Sequence, residues 1–209
     1  ELLALRPQLA QALDDALATV AVVAGFEFPD FEQPYEYLSL RTDRDYPIET
    51  GSFVSSGGRA FPVEAFETWV TEEQVPHSNA LHARLRGVGP YVVGPLARYS
   101  LNHDRLPHAA RMAADAAGLG PICRNPFRSI VVRAVEIVVA CEEALRIIDG
   151  WSDGGAPSVD VPPRAGVGHG ATEAPRGVLY HRYELSPDGS VLDARIVPPT
   201  SQNQASIEN

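Results

Sequence analysis

The chain has 209 residues, 44% hydrophobic and 21% charged, with a formal net charge of −10 at pH 7. That balance suits a folded chain with a substantial core and excludes a disordered one. The acidic excess argues against a general nucleic-acid binder, which needs a basic footprint. No apolar run reaches the ~18 residues of a membrane span. Two cysteines make neither a disulfide framework nor a self-contained four-cysteine metal site. All 17 basic residues are Arg, so no Lys is available for Schiff-base chemistry or a P-loop. The chain starts at Glu1 and its only Met is Met112, which reads as a processed chain or a fragment with no visible targeting peptide.

Leu2, Leu5, Leu9, Leu13, Leu17 and Val20 recur at three- and four-residue steps, which predicts a helix over 1–24. Pro7 kinks it or marks a late start, and Gly25 stops it. The turn-rich segment 26–61 holds short strands at 35–40 and 51–55. Pro62, followed by Glu64 and Glu67, opens a predicted helix over 62–75. Tyr91 to Val93 reads as a short strand, and 106–117 as an Ala-rich helix ended by Gly118. The strongest element is a helix over about 126–149, with Asn125 as a good N-cap and Pro126 in the first turn. It is apolar on nearly every side and is expected to be buried. Glu142 and Arg146 are an i,i+4 pair on it. Residues 151–165 read as a Gly/Pro/Ser/Asp linker. Ser186-Pro187-Asp188-Gly189-Ser190 between alternating runs at 178–185 and 191–197 is a β-hairpin signal. From Gln202 the polar tail begins a helix. The expected fold class is α+β. It comprises a mainly helical core with the long buried helix and short β-hairpins, in a single domain over 1–209.

Gly166-Val167-Gly168-His169-Gly170-Ala171 formally matches a G-x-G-x-x-A dinucleotide fingerprint. That motif must follow a strand and open a helix, whereas here a Pro-rich linker precedes it and Pro175 follows. Cys123 and Cys141 have no His or Cys at metal spacing and read as structural thiols. His77 and His82 are five residues apart, as are His103 and His108, not the four that places two ligands on one helix face. Each reads as a surface or hydrogen-bonded structural histidine.

In Glu173-Ala174-Pro175-Arg176-Gly177, Pro175 fixes its own φ and restricts Ala174, while Gly177 permits an unusual backbone angle. Arg176 therefore sits on a stiff loop just before the hairpin. Its guanidinium suits an anionic or electron-rich ligand, and pairing with a nearby carboxylate is the structural alternative. Val197-Pro198-Pro199-Thr200 forms a second stiff loop at the far end of the same hairpin, so 166–209 brings the two loops side by side. Gln202, Asn203 and Gln204 add amide donors and acceptors there.

These stretches, 170–181 and 196–204, resemble the large subunit of [NiFe] hydrogenases, in particular the cytoplasmic, cofactor-coupled branch that includes sulfhydrogenase alpha subunits. Glu73-Gln74-Val75-Pro76-His77-Ser78, Val93-Gly94-Pro95-Leu96-Ala97-Arg98 and Arg124-Asn125-Pro126-Phe127-Arg128-Ser129-Ile130 carry the likeness upstream. The resemblance implies the central part of the large-subunit fold and a role in the reversible heterolytic oxidation of dihydrogen to protons and electrons. It implies a nickel–iron centre with cyanide and carbon monoxide ligands, held by two cysteine pairs. Neither pair is present, so the chain reads as the middle of such a subunit or as a diverged relative, expected alone to bind no metal and show no turnover. By the same resemblance Arg176 is the catalytic arginine over the metals. Ala174 and Pro175 flank one iron-bound cyanide, and Pro199 and Thr200 the other. The implied partners are electron-transfer subunits reducing a nicotinamide or deazaflavin and a small iron–sulfur subunit, in the cytoplasm, without nucleic acid or a membrane span. The rival is a non-catalytic relative of the same fold, such as the quinone-site subunit of respiratory complex I or a metal-free scaffold. That complex I subunit usually has Lys at the position of Arg176 and an acidic residue at that of Val178, so Arg176, Val178 and His181 favour the hydrogenase branch.

Overall fold

The structure, a computed structural model, describes residues 2–152 and 154–208. In chain order its main elements are α1 (Arg6–Ala24), β1 (Leu38–Arg41), β2 (Ser52–Ser55), β3 (Ala60–Phe61), α2 (Phe66–Trp69), β4 (Val70–Glu73), β5 (His82–Leu85), α3 (Pro95–Asn102), α4 (His108–Ala116), α5 (Ser129–Asp149), β6 (Gly166–Ala174), β7 (Gly177–Leu185), β8 (Val191–Val197) and α6 (Pro199–Ile207). They divide into two units. The first comprises Glu1–Asp30, Leu106–Gly120 and Phe127–Pro162, and the second Phe31–Arg105, Pro121–Pro126 and Pro163–Asn209.

The first unit is helical, with α5 packed on α1 and α4. Pro7 marks a late start, since it lies in the first turn of α1 behind a 3-10 turn at Leu2–Leu5. Ala16, Val20 and Val23 of α1 and Ala110, Ala113 and Ala114 of α4 are buried. On α5 the buried set is Val131, Val132, Ala134, Val135, Val138, Val139 and Ile148. The helix begins at Ser129, after a 3-10 turn at Pro126–Arg128, and is buried on one face within this unit. Ile130, Ile137 and Ile147 on its other side are 43%, 51% and 50% exposed. The valines at three- and four-residue steps form the inward stripe, and the isoleucines fall outside it.

Arg146 pairs with Glu143, Nε to Oε2 at 2.7 Å. Glu142 instead accepts the backbone N–H groups of Ala109 and Ala110, at 3.1 and 2.9 Å. It thereby serves the N-terminus of α4, whose first amides have no intrahelical acceptor.

The second unit holds three small antiparallel sheets, ordered β1-β2-β3, β4-β5 and β6-β7-β8. One cluster of buried side chains joins them, including Leu38, Leu40, Phe53, Phe66, Tyr91, Val178 and Tyr180. The Phe66 ring stacks on Tyr180 with centroids 4.2 Å apart and meets Phe53, tilted, at 5.0 Å. The helix expected over 62–75 is cut short: a 3-10 turn (Val63–Ala65) and α2 lead at Val70 into β4. Val70 and Thr71 are β-branched, and pairing with Leu85 and Arg84 of β5 overrides the helical spacing. Tyr91 to Val93 forms an isolated bridge, Val92 to Tyr37, rather than a full strand. Residues 166–171 lie within β6, so the glycine motif opens no helix.

The β7–β8 hairpin turns through Ser186 to Ser190 as expected, with Gly189 at φ +85°. Its partner β6 is absent from the expectations because three glycines hide the strand pattern. The Pro-Pro-Thr segment is not a loop. Pro198 is extended (φ −78°, ψ 158°), and Pro199 and Thr200 are the first residues of α6. Proline is tolerated there because that N–H would have no intrahelical acceptor.

Candidate functional site: the arginine turn

β6 and β7 pair as far as Ala174 with Gly177, which leaves Pro175 and Arg176 as the whole turn. Gly177 has φ +136°, and a Cβ there would stand 2.4 Å from Val93 Cγ2. Gly94 has φ +103°, and a Cβ on it would stand 2.6 Å from the Arg176 carbonyl oxygen. Two glycines thus let the turn lie directly on the 93–94 backbone. Asn203 of α6 closes the arrangement. Its Nδ2 donates to Arg176 O at 3.3 Å and its Oδ1 accepts from Val93 N at 2.8 Å. Asn203 stands three residues after Thr200, so the two proline-stiffened segments meet through one amide.

Beneath the turn lies a buried ion pair. Arg98 Nη1 of α3 donates to Glu173 Oε2 at 2.7 Å, with side chains 6% and 0% exposed. The same Nη1 donates to Ala174 O at 3.0 Å, and Glu173 Oε1 accepts from Leu40 N at 2.8 Å. Asn102 Nδ2 donates to Leu40 O and Arg98 O, at 3.0 Å each. Burying two charges is costly unless such further bonds satisfy them. Here they do, and they fix Ala174 at the foot of the turn.

Pro175 and Arg176 are exposed, and the Arg176 guanidinium has no hydrogen bond or ion pair among the described residues. Thr200 is exposed and Pro199 half-buried. The N–H groups of Thr200 and Ser201 open α6 ahead of its first intrahelical bonds, a local positive end. All five residues expected at the site lie in the second unit. Of the expected amide run, Asn203 meets the turn, while its neighbours bond elsewhere. Gln202 is buried, donating to Val178 O at 2.6 Å and accepting from the Tyr91 hydroxyl at 3.2 Å. Gln204 donates to Glu208. These amides fasten the frame.

Sequence reasoning missed Arg98, Glu173 and Gly94 as supports, whereas Asn203 was among the expected amides. Glu173 follows buried Ala171 by two on the same face of β6, so its charge points inward and needs a cation, but that face is legible only once the strand is known.

A nickel–iron centre of the hydrogenase type needs thiolates. Among the described residues, Cys123 lies in the second unit with its Sγ 3.7 Å from Asn125 O. Cys141 is a half-buried residue of α5 in the first, its thiol pushed up by burial. They are not a ligand set, so the described residues do not fit that centre as its holders.

No family model matches the sequence. Among solved structures, an NAD+-reducing [NiFe]-hydrogenase in the H2-reduced state superposes with a TM-score of 0.78 at 22% identity, over 98% of this chain and 49% of that one. The fold is that of the [NiFe]-hydrogenase large subunit. The alpha subunit of sulfhydrogenase 1 from Pyrococcus furiosus is 31% identical over 98% of this chain and 48% of its own length. The alpha subunit of sulfhydrogenase 2 from the same organism is 30% identical over 66% and 34%. The chain is therefore a homologue of hydrogenase alpha, or large, subunits. It spans about half the length of the first of these relatives and a third of the second. Among the described residues, no helix is long and apolar enough to cross a membrane.

Proposed function

We propose that this chain serves as part of the catalytic subunit of a cytoplasmic [NiFe] hydrogenase, in the reversible oxidation of dihydrogen to protons and electrons. The observation that carries the reading is Arg176, an exposed cation with no ion pair among the described residues, on a two-residue turn held by Arg98, Glu173, Gly94 and Asn203. A cation on so stiff a support costs little to organise and stabilises negative charge developing beside it. Arg176 then takes the catalytic place. Ala174 and Pro175 would flank one iron-bound cyanide, and Pro199 and Thr200 the other, where the Thr200 N–H and hydroxyl are donors suited to a cyanide nitrogen.

The thiolates that hold nickel and iron come, in this reading, from outside these residues. Electrons leave through a small iron–sulfur subunit to partners that reduce a nicotinamide or a deazaflavin. The test is hydrogen-dependent dye reduction by the native assembly containing this chain, purified without oxygen. Turnover accompanied by about one nickel per copy supports the reading, and nickel-free preparations with no hydrogen uptake contradict it.

A further inference from the structure

Two histidines five residues apart and a glutamate far along the chain converge in the second unit. His77 lies between β4 and β5, His82 opens β5, and Glu208 follows α6. We propose that His77, His82 and Glu208 bind a divalent transition-metal cation of the zinc class. One ligand atom from each lies within 4.8 Å of the other two. His77 Nε2 is 2.7 Å from Glu208 Oε2, and His82 Nε2 is 3.5 Å from the same oxygen. Zinc bonds of about 2.0–2.1 Å place tetrahedral ligands roughly 3.3 Å apart, so the cluster needs only small side-chain adjustments.

A second observation points to a ligand. His82 is 3% exposed, and its Nε2 is buried without a hydrogen-bond partner. An unsatisfied buried nitrogen is costly, and coordination would satisfy it. It lines a pocket of about 460 Å³ with His77, Glu208, Val75, Arg84 and Ala205. The other carboxylate oxygen, Glu208 Oε1, accepts from Gln204 Nε2 at 2.7 Å, which orients the carboxylate as outer partners of metal ligands do. The nearby Arg84 is engaged by Glu73. Two imidazoles and one carboxylate suit zinc and similar cations better than calcium or magnesium, which prefer all-oxygen sets, and leave a fourth position for water. None of this depends on the hydrogenase reading.

The test uses the full chain, stripped of metal by a chelator and dialysed against Zn2+, with Co2+ as an absorbing substitute. His77→Gln and Glu208→Gln are the variants, both at exposed positions, with folding checked by circular dichroism. The site predicts one zinc per chain, tetrahedral cobalt bands, and at least a tenfold loss of affinity in each variant. No zinc uptake by the unaltered chain, or undiminished affinity in either variant, overturns it.

Discussion

Arg98 and Glu173 have side chains 6% and 0% exposed, and removing one partner of such a pair leaves the other charge buried and unpaired, at a typical cost of ~3–5 kcal/mol. Arg98→Met should therefore destabilise the second unit by about that amount, in urea denaturation followed by Trp69 fluorescence. Arg98→Met with Glu173→Leu should recover most of it, because an apolar pair leaves no orphaned charge. A single-variant loss below about 1 kcal/mol would show that the pair is not the support described.

Asp188 offers a contrast at full exposure. The Ser186 hydroxyl, then Ser190, hold its carboxyl down to about 2. A lowered folded value means that the contribution to the turn is complete above the ordinary carboxylate range and is lost as pH falls toward 2. The Ser190 amide should stay protected through pH 4 and lose protection near pH 2 in an NMR titration. Loss near pH 4 would contradict the turn geometry. At this scale the sequence identified Arg176 as a cation on a stiff loop but gave no sign that His77 and His82 share a neighbour in Glu208. The four-residue rule assumes a helix, whereas these two lie on a loop and a strand and meet Glu208 through the fold.

Elements whose local signals agreed with their packing were legible: α1, α4, the α5 region and the β7–β8 hairpin. The segment over 62–75 was not, because its second half is decided by pairing with β5, which no local pattern announces. β6 was lost among its glycines, and with it the fact that the stiff loop at Pro175 and Arg176 is a two-residue turn between paired strands. Likewise the Glu142–Arg146 spacing suggested a pair, while the fold assigns Glu142 to the start of α4. Glu142→Ala removes an acceptor for two backbone amides and should cost the first unit ~1–2 kcal/mol, within the range of lost helix caps. Hydrogen exchange should quicken first at residues 108–112. Unchanged exchange there would mean that water replaces the carboxylate at no cost.

For the whole molecule, composition excluded more than it identified. Among the stretches that carry the hydrogenase likeness are those around Val93–Arg98, Glu173–Gly177 and Val197–Thr200. In the fold these are adjoining parts of one frame, joined by the bonds of Arg98 and Asn203. What the residues could not show from spacing was the support beneath the turn, since an inward Glu and a buried Arg look like surface charges until the sheet places them.

In the proposed role, this frame holds the Arg176 cation at a reacting centre. The most direct measurement is hydrogen-oxidation turnover and metal content of the native assembly carrying Arg176→Lys. Lys keeps the charge but loses the planar fork, so turnover should fall by orders of magnitude, at least ~100-fold, with nickel and iron content unchanged. Turnover within a few-fold of the unaltered enzyme would contradict the account.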